Sequence, residues 1–296
     1  MTYEEHLQRV KKKGKDLLYV PKDHMTSEIC LAAVQQEGYA LDFVPKDFRT
    51  PEICLAAVQQ NGYVISNLPR AFITPEICLA AVQQNGNALD FVPEALMSPE
   101  ICVAAIKQNG RAFVYVPEAL MSPEVCLAAV RECVEALRWI PEALISSEIC
   151  LVSVSENGLS FNYVPNKFRT PEVCLAAITA TDATALRWIP GAFMTPEICL
   201  AAVTQDVKAL RGVPWEHRSP EVCLAAILQN GDALRWVPEK YTSPKLYLAA
   251  VTQEGSALRW VPDALKTPEV CLAAILQNDN ALRYSPYSIL ELMGLI

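Results

Sequence analysis

Histidine is scarce in this 296-residue chain: only His6, His24 and His217 occur, and no two of them have metal-ligand spacing. No Ser/His/Asp or Cys/His constellation can be assembled around so few imidazoles. The phosphate-cradling patterns G-x-x-x-x-G-K-[ST] and G-x-G-x-x-G are both missing. Long apolar runs are missing too, and none approaches the roughly 18 residues of a membrane span. The opening M-T-Y-E-E-H-L-Q-R-V-K-K-K-G-K is polar and has no signal core. Positive charge is in deficit, with 25 Lys and Arg against 33 Asp and Glu, a net charge of -8. That balance argues against general binding to nucleic acid or anionic membrane, which needs clustered cations. The expectation is a soluble, cytoplasmic, non-enzymatic chain without a cofactor, a metal or a membrane partner.

What the sequence has is a repeat. T-P-E-I-C-L-A-A-V begins at Thr50 and again at Thr74, and variants begin at Thr26, Ser98, Ser122, Ser146, Thr170, Thr195, Ser219, Ser243 and Thr267. The period is 24 residues, with one 25-residue step from Thr170 to Thr195, and a degenerate copy starts at Thr2. Positions 1 to 24 are counted below from the Thr or Ser. All 21 prolines fit this register: nine at position 2, such as Pro51, and twelve closing an aromatic segment, such as Pro45 and Pro286.

Each position has a physical reading. Thr or Ser at position 1 is a helix N-cap, and Pro suits the first turn, where its missing N–H is not needed. Glu at position 3 sits near the positive end of the helix dipole, facing solvent. The apolar run I/V-C-L-A-A-V predicts a helix buried between neighbours, and the Gln-Gln-Asn after it reaches solvent. Gly at position 13, present in eight copies such as Gly38 and Gly231, is expected in a left-handed C-terminal turn. The segment A-L-x-aromatic-V-P then predicts a second short helix, followed by another short or 3-10 turn.

One such unit cannot bury its apolar faces alone, but a stack can. The pattern predicts an all-α fold, a right-handed or otherwise curved α-solenoid of twelve 24-residue repeats. Each repeat is one longer helix plus a short α/3-10 element. The array reads as a single domain over 1–296: an N-terminal capping repeat at 1–25, repeats at 26–286 and an apolar C-terminal tail at 287–296.

The stretch V-C-L-A-A-I-L-Q-N-G-D-A-L-R-W-V-P, Val222 to Pro238, resembles an uncharacterised bacterial helical-repeat family whose units read V-x-L-A-A-V-x-x-N-G-x-A-L-x-Y. That family is a domain of unknown function, and the likeness covers nearly the whole chain. The unit is also similar in length to leucine-rich variant repeats, which alternate α and 3-10 helices. Neither resemblance implies a catalytic residue.

Ten of the eleven cysteines occupy position 5, from Cys30 to Cys271, and in one late repeat Tyr247 stands there instead. Helices pack about 8–10 Å apart, whereas a disulfide needs Cα atoms about 4.4–6.8 Å apart. The ladder therefore reads as buried packing. Cys133, in place of the usual Asn before the turn, stands outside it.

Position 17 changes along the array. Early copies carry Asp42, Ser66, Asp90 and Val114, and later ones Arg138, Arg187, Arg211, Arg235, Arg259 and Arg283. Tryptophan follows four of the arginines, as Trp139, Trp188, Trp236 and Trp260. Two readings stand: the arginines stack on rings or pair with glutamates of the next unit, or they form a cationic stripe for an acidic peptide or a nucleic-acid strand. Beside them, Val213-Pro214-Trp215-Glu216-His217-Arg218 departs from the usual P-E-A-L-M, giving an expected exposed Trp/His/Arg cluster or a drifting loop. The last residues, Ile289, Leu290, Leu292, Met293, Leu295 and Ile296, need a cover, either by folding back or as the contact of a homodimer. The function expected is a protein-binding scaffold, adaptor or inhibitor using the Arg/Trp stripe. The alternative is a nucleic-acid-associated factor, or an inhibitor of a nucleic-acid-processing complex.

Overall fold

A computed structural model describes residues 1–181 and 183–292, and the side chain of Ile289 lies outside that description. The described residues form helices only, and the chain is an all-α repeat solenoid. It divides into two compact units, Met1–Val152 and Ser153–Ile296. In the first the main helices are α1 (Tyr3–Lys12), α2 (Ser27–Gln36), α3 (Pro51–Gln60), α4 (Pro75–Gln84), α5 (Pro99–Gln108) and α6 (Pro123–Glu132). Helix α7 (Ser147–Glu156) contains the division. The second unit continues with α8 (Pro171–Thr179), α9 (Pro196–Gln205), α10 (Pro220–Gln229), α11 (Pro244–Gln253), α12 (Pro268–Gln277) and the short α13 (Ile289–Leu292).

The N-caps form as the sequence predicts. The Thr50 hydroxyl accepts from the Ile53 amide at 3.3 Å, with Pro51 in the first turn, and the same cap recurs at Thr74, Ser98, Ser219 and Thr267. Positions 4, 5, 8 and 9 point inward, as Ile53, Cys54, Ala57 and Val58 do on α3. All ten position-5 cysteines are buried and free. Burial raises the Cys30, Cys78 and Cys150 thiols to about 11, so these groups stay protonated and behave as small apolar side chains. Position 6 escapes full burial: Leu55 and Leu79 are half-buried, and Leu175 and Leu200 are exposed.

After most of the main helices the chain forms a six-residue 3-10 helix such as Gly38–Phe43, shortened to Ala136–Arg138, Thr184–Trp188 and Val207–Arg211 after α6, α8 and α9, and then, up to α11, a three-residue one such as Lys46–Phe48. A 3-10 helix has three residues per turn, so side chains at i and i+3 eclipse. Positions 13, 16 and 19 therefore share one face, and Gly38, Leu41 and Val44 are all buried there. Position 17 lies off that face and meets solvent.

The glycine at position 13 is not in a left-handed turn. The preceding residue is extended (Glu37 φ -147°, ψ 109°), and the only positive φ on a non-glycine residue among those described is at Ala183. No repeat glycine falls in the positive range either. Glycine is required because the next helix is too close. A Cβ built on Gly38 would lie 2.6 Å from the Ala57 carbonyl oxygen, and Gly62, Gly86, Gly158, Gly231 and Gly255 approach the equivalent alanine carbonyl more closely still. Position 11 completes the joint. The Gln60 side chain accepts from the Gly38 amide at 2.6 Å and donates to the Gln36 carbonyl at 3.4 Å, so one side chain ties two backbones. Gln84 repeats both bonds toward Gly62 and Gln60, and Gln277 toward Gly255 and Gln253. Position 12 is likewise occupied: Asn61 accepts from the Tyr63 amide at 3.1 Å and caps the 3-10 helix. Gln-Asn is thus part of the frame, although the sequence suggested only a solvated helix end.

The irregular copies lose this joint. Val207 takes the glycine's place in the repeat of α9, and the next Gln229 donates to the Val203 and Thr204 carbonyls, further back along the helix. The 25-residue repeat ends α8 at Thr179 and turns through Ala183 at φ 58°. In the last full repeat Asp279 occupies position 13, and its side chain is exposed.

Gly38→Ala should destabilise the first unit by about 1–3 kcal/mol, the usual range for forced overpacking. Asp279→Ala should shift stability by less than about 0.5 kcal/mol, as surface changes do. Chemical denaturation of the two variants measures the contrast.

Candidate functional site

The six arginines at position 17 are all exposed. Arg138 lies in the first unit, and the other five lie in the second. There they sit on 3-10 helices, Thr184–Trp188, Val207–Arg211, Gly231–Trp236, Gly255–Trp260 and Asp279–Tyr284. From 207–211 onward each of these elements packs against the next.

Four of the arginines lie over the ring that follows them. The guanidinium carbon is 4.3 Å from the Trp188 ring centre for Arg187, 4.0 Å from Trp236 for Arg235, 5.0 Å from Trp260 for Arg259 and 5.1 Å from Tyr284 for Arg283. Stacking engages the face of the guanidinium and leaves its N–H edge free to donate. Arg259 adds an ion pair with Asp232 of the preceding repeat, and Arg283 donates through Nε to the Asn280 carbonyl at 3.1 Å. Arg211 precedes Gly212 and has no adjacent ring. Ring stacking and exposure therefore coexist. Trp188 and Trp236 are half-buried, whereas Trp260 is 40% exposed.

In the first unit, Arg138 apart, the same position is acidic or neutral. Asp42 accepts from the Asn67 amide at 3.1 Å, and Asp90, Val114 and Ser66 carry no positive charge.

The Trp/His/Arg cluster is exposed only in part. Trp215 is 58% exposed and His217 is half-buried, but Arg218 is only 5% exposed. Its guanidinium donates to the carbonyls of Val213 at 2.9 Å, Arg211 at 3.5 Å and Trp236 at 2.6 Å, and lies 3.9 Å from the Trp215 ring centre. These three bonds and its burial make Arg218 a clamp inside the frame. Burial also lowers its pKa from the ordinary arginine value. The same clamp recurs at position 24: Arg49 reaches the Val44 carbonyl at 3.0 Å and Arg169 the Val164 carbonyl at 3.0 Å. Three arginines at one repeat position were the available sequence signal for this role.

His6 and His24 meet edge to face with ring centres 5.4 Å apart, at the start of the chain and outside the arginine row. His6 is buried, and desolvation lowers its pKa, reinforced by His24. Cys133 is half-buried. Among the described residues no group of three or more metal-ligating side chains comes together, and no helix is long and apolar enough to cross a membrane. Of the apolar C-terminal residues, Leu290 is 51% exposed and Leu292 half-buried on α13, while Met293, Leu295 and Ile296 lie outside the described residues.

Residues 26–73, 74–121 and 99–145 match a family described as a domain of unknown function (DUF4116), and each match spans about two consecutive repeats. All three fall within the first unit. No curated protein matches the chain.

Arg218→Met should destabilise the second unit by about 2–4 kcal/mol, because it leaves buried carbonyls without donors. Arg211→Met, at an exposed position, should change stability by less than about 0.5 kcal/mol. Thermal unfolding of the two variants separates clamp from surface.

Proposed function

We propose that the chain is a non-catalytic, macromolecule-binding repeat protein, a scaffold, adaptor or inhibitor. Its arginine row, Arg187, Arg211, Arg235, Arg259 and Arg283, would hold an acidic segment of another protein. The observation that carries this reading is the exposure of a guanidinium at the same position of five consecutive repeats, with four of them held flat against an aromatic ring. Held arginines lose less side-chain freedom on binding than free ones, and Arg and Trp are the types enriched among residues that dominate binding energy. A planar fork also suits carboxylates.

The frame makes no use of these charges that it could not satisfy otherwise, since the first unit builds the same 3-10 helices with Asp42, Ser66, Asp90 and Val114 there. Phosphates suit the same fork, so a single-stranded nucleic acid is the second reading. The net charge of -8 weighs against it.

Reversal of Arg211, Arg235 and Arg259 to Glu together should abolish binding of a glutamate-rich peptide, measured by fluorescence anisotropy, with the helical circular dichroism unchanged. Binding that survives the triple change removes the row from consideration. Tighter binding of a labelled single-stranded RNA than of the peptide, with a steep loss of affinity as salt rises, favours the second reading.

A further inference from the structure

The other side of each repeat in the first unit carries its own pattern. On α2 to α6, position 6 holds Leu31, Leu55, Leu79, Val103 and Leu127, and all five are half-buried. Along one edge runs position 3. Glu52, Glu76, Glu100 and Glu124 are exposed, and none forms an ion pair with a cation of the chain among the described residues. Glu28, the first of the row, accepts from the Tyr3 hydroxyl at 2.8 Å. The opposite edge, position 10, carries Gln35, Gln59 and Gln83, then Lys107 and Arg131.

Between the edges the surface is concave. An open cavity of about 650 Å³ runs across α4, α5 and α6, lined by Leu79, Val103 and Ala104, by Glu100 and Glu124, and by Gln83, Lys107 and Gln108. A second, of about 420 Å³, continues over Val103, Leu127 and Ala128, with Glu124 and Glu132 and, from the position-10 edge, Lys107 and Arg131.

We infer that this face docks an amphipathic helix of another protein, one whose apolar stripe is flanked by Lys or Arg on the side that lies over the glutamate row. Pitch and charge select this occupant. Successive main helices pack side by side, at about 8–10 Å. In a helix laid across them, residues seven apart advance about 10.5 Å on one face, so each repeat receives one apolar side chain. An extended strand presents a side chain to one face about every 6.6–6.8 Å and falls out of step with that spacing. The carboxylates call for cations, and the floor calls for leucine-sized groups. The corresponding face of the second unit lacks the unbroken acidic row, because Lys245 stands at position 3 of α11. The docking face is therefore α2 to α6.

The test uses the full chain and two synthetic helical peptides of about four heptads. Both carry leucine along one stripe; one has lysine on its flank and the other glutamate. The lysine peptide should bind saturably in isothermal titration, and the glutamate peptide should not. Glu76→Lys, Glu100→Lys and Glu124→Lys combined should raise its Kd by about tenfold or more, and so should Val103→Asp. If Val103→Asp fails to fold, the charge variant decides alone. Glutamate for Arg211, Arg235 and Arg259 should leave this binding unchanged, so the helix face stands or falls independently of the arginine row. Absence of saturable binding by the lysine peptide, equal binding of both peptides, or an unchanged Kd in the charge variant would overturn the inference.

Discussion

Most of the regular repeats depend on one close approach, the backbone of Gly38 and of its equivalents such as Gly62, Gly86 and Gly255 against an alanine carbonyl of the next helix. At that separation a Cβ would collide, and the glycine amide needs a partner that is not a helix carbonyl. Gln60 supplies it and reaches back to Gln36, so each joint couples the end of one helix to the start of the next 3-10 element. Neutral hydrogen bonds contribute about 0.5–1.5 kcal/mol each, but the joint also fixes register. Residues 24 apart are brought into rows, and rows are what a repeat protein can present to a partner.

The period, the N-caps, the inward cysteines and the alternation of α and 3-10 helices were legible in the sequence, because each follows from residue type at a fixed offset. Gly38 was misassigned for a physical reason. Glycine after a helix usually marks a left-handed turn, and only the neighbouring repeat reveals that steric clearance is the cause. The signal was present in the pairing of Gly at position 13 with Gln at position 11 of the next copy. Arg218 is the parallel case: its exposed-looking neighbours Trp215 and His217 hid a guanidinium enclosed by backbone carbonyls. Whether Arg235 would stack or stay exposed could not be read from order alone, since in a 3-10 helix the ring of Trp236 lies beside it and leaves its edge in water.

Two kinds of row emerge from one repeat. The 3-10 side turns from Asp42 and Asp90 in the first unit to arginine on ring in the second. The helix side of the first unit sets leucines beside unpaired glutamates. Opposite charges on different elements give a net-acidic protein a local cationic surface. The side chains of both rows are repeated and spread along the array.

The glycine–glutamine joint sets the stacking. Residue-resolved hydrogen exchange tests it directly. The amides of Gly38, Gly62 and Gly86 should be protected to the level of the buried helix amides. Gln60→Leu should release Gly38 by about tenfold or more while Gly86 keeps its protection. Glycine amides that exchange as fast as exposed loops in the native chain, or a Gly38 unaffected by Gln60→Leu, would contradict the account.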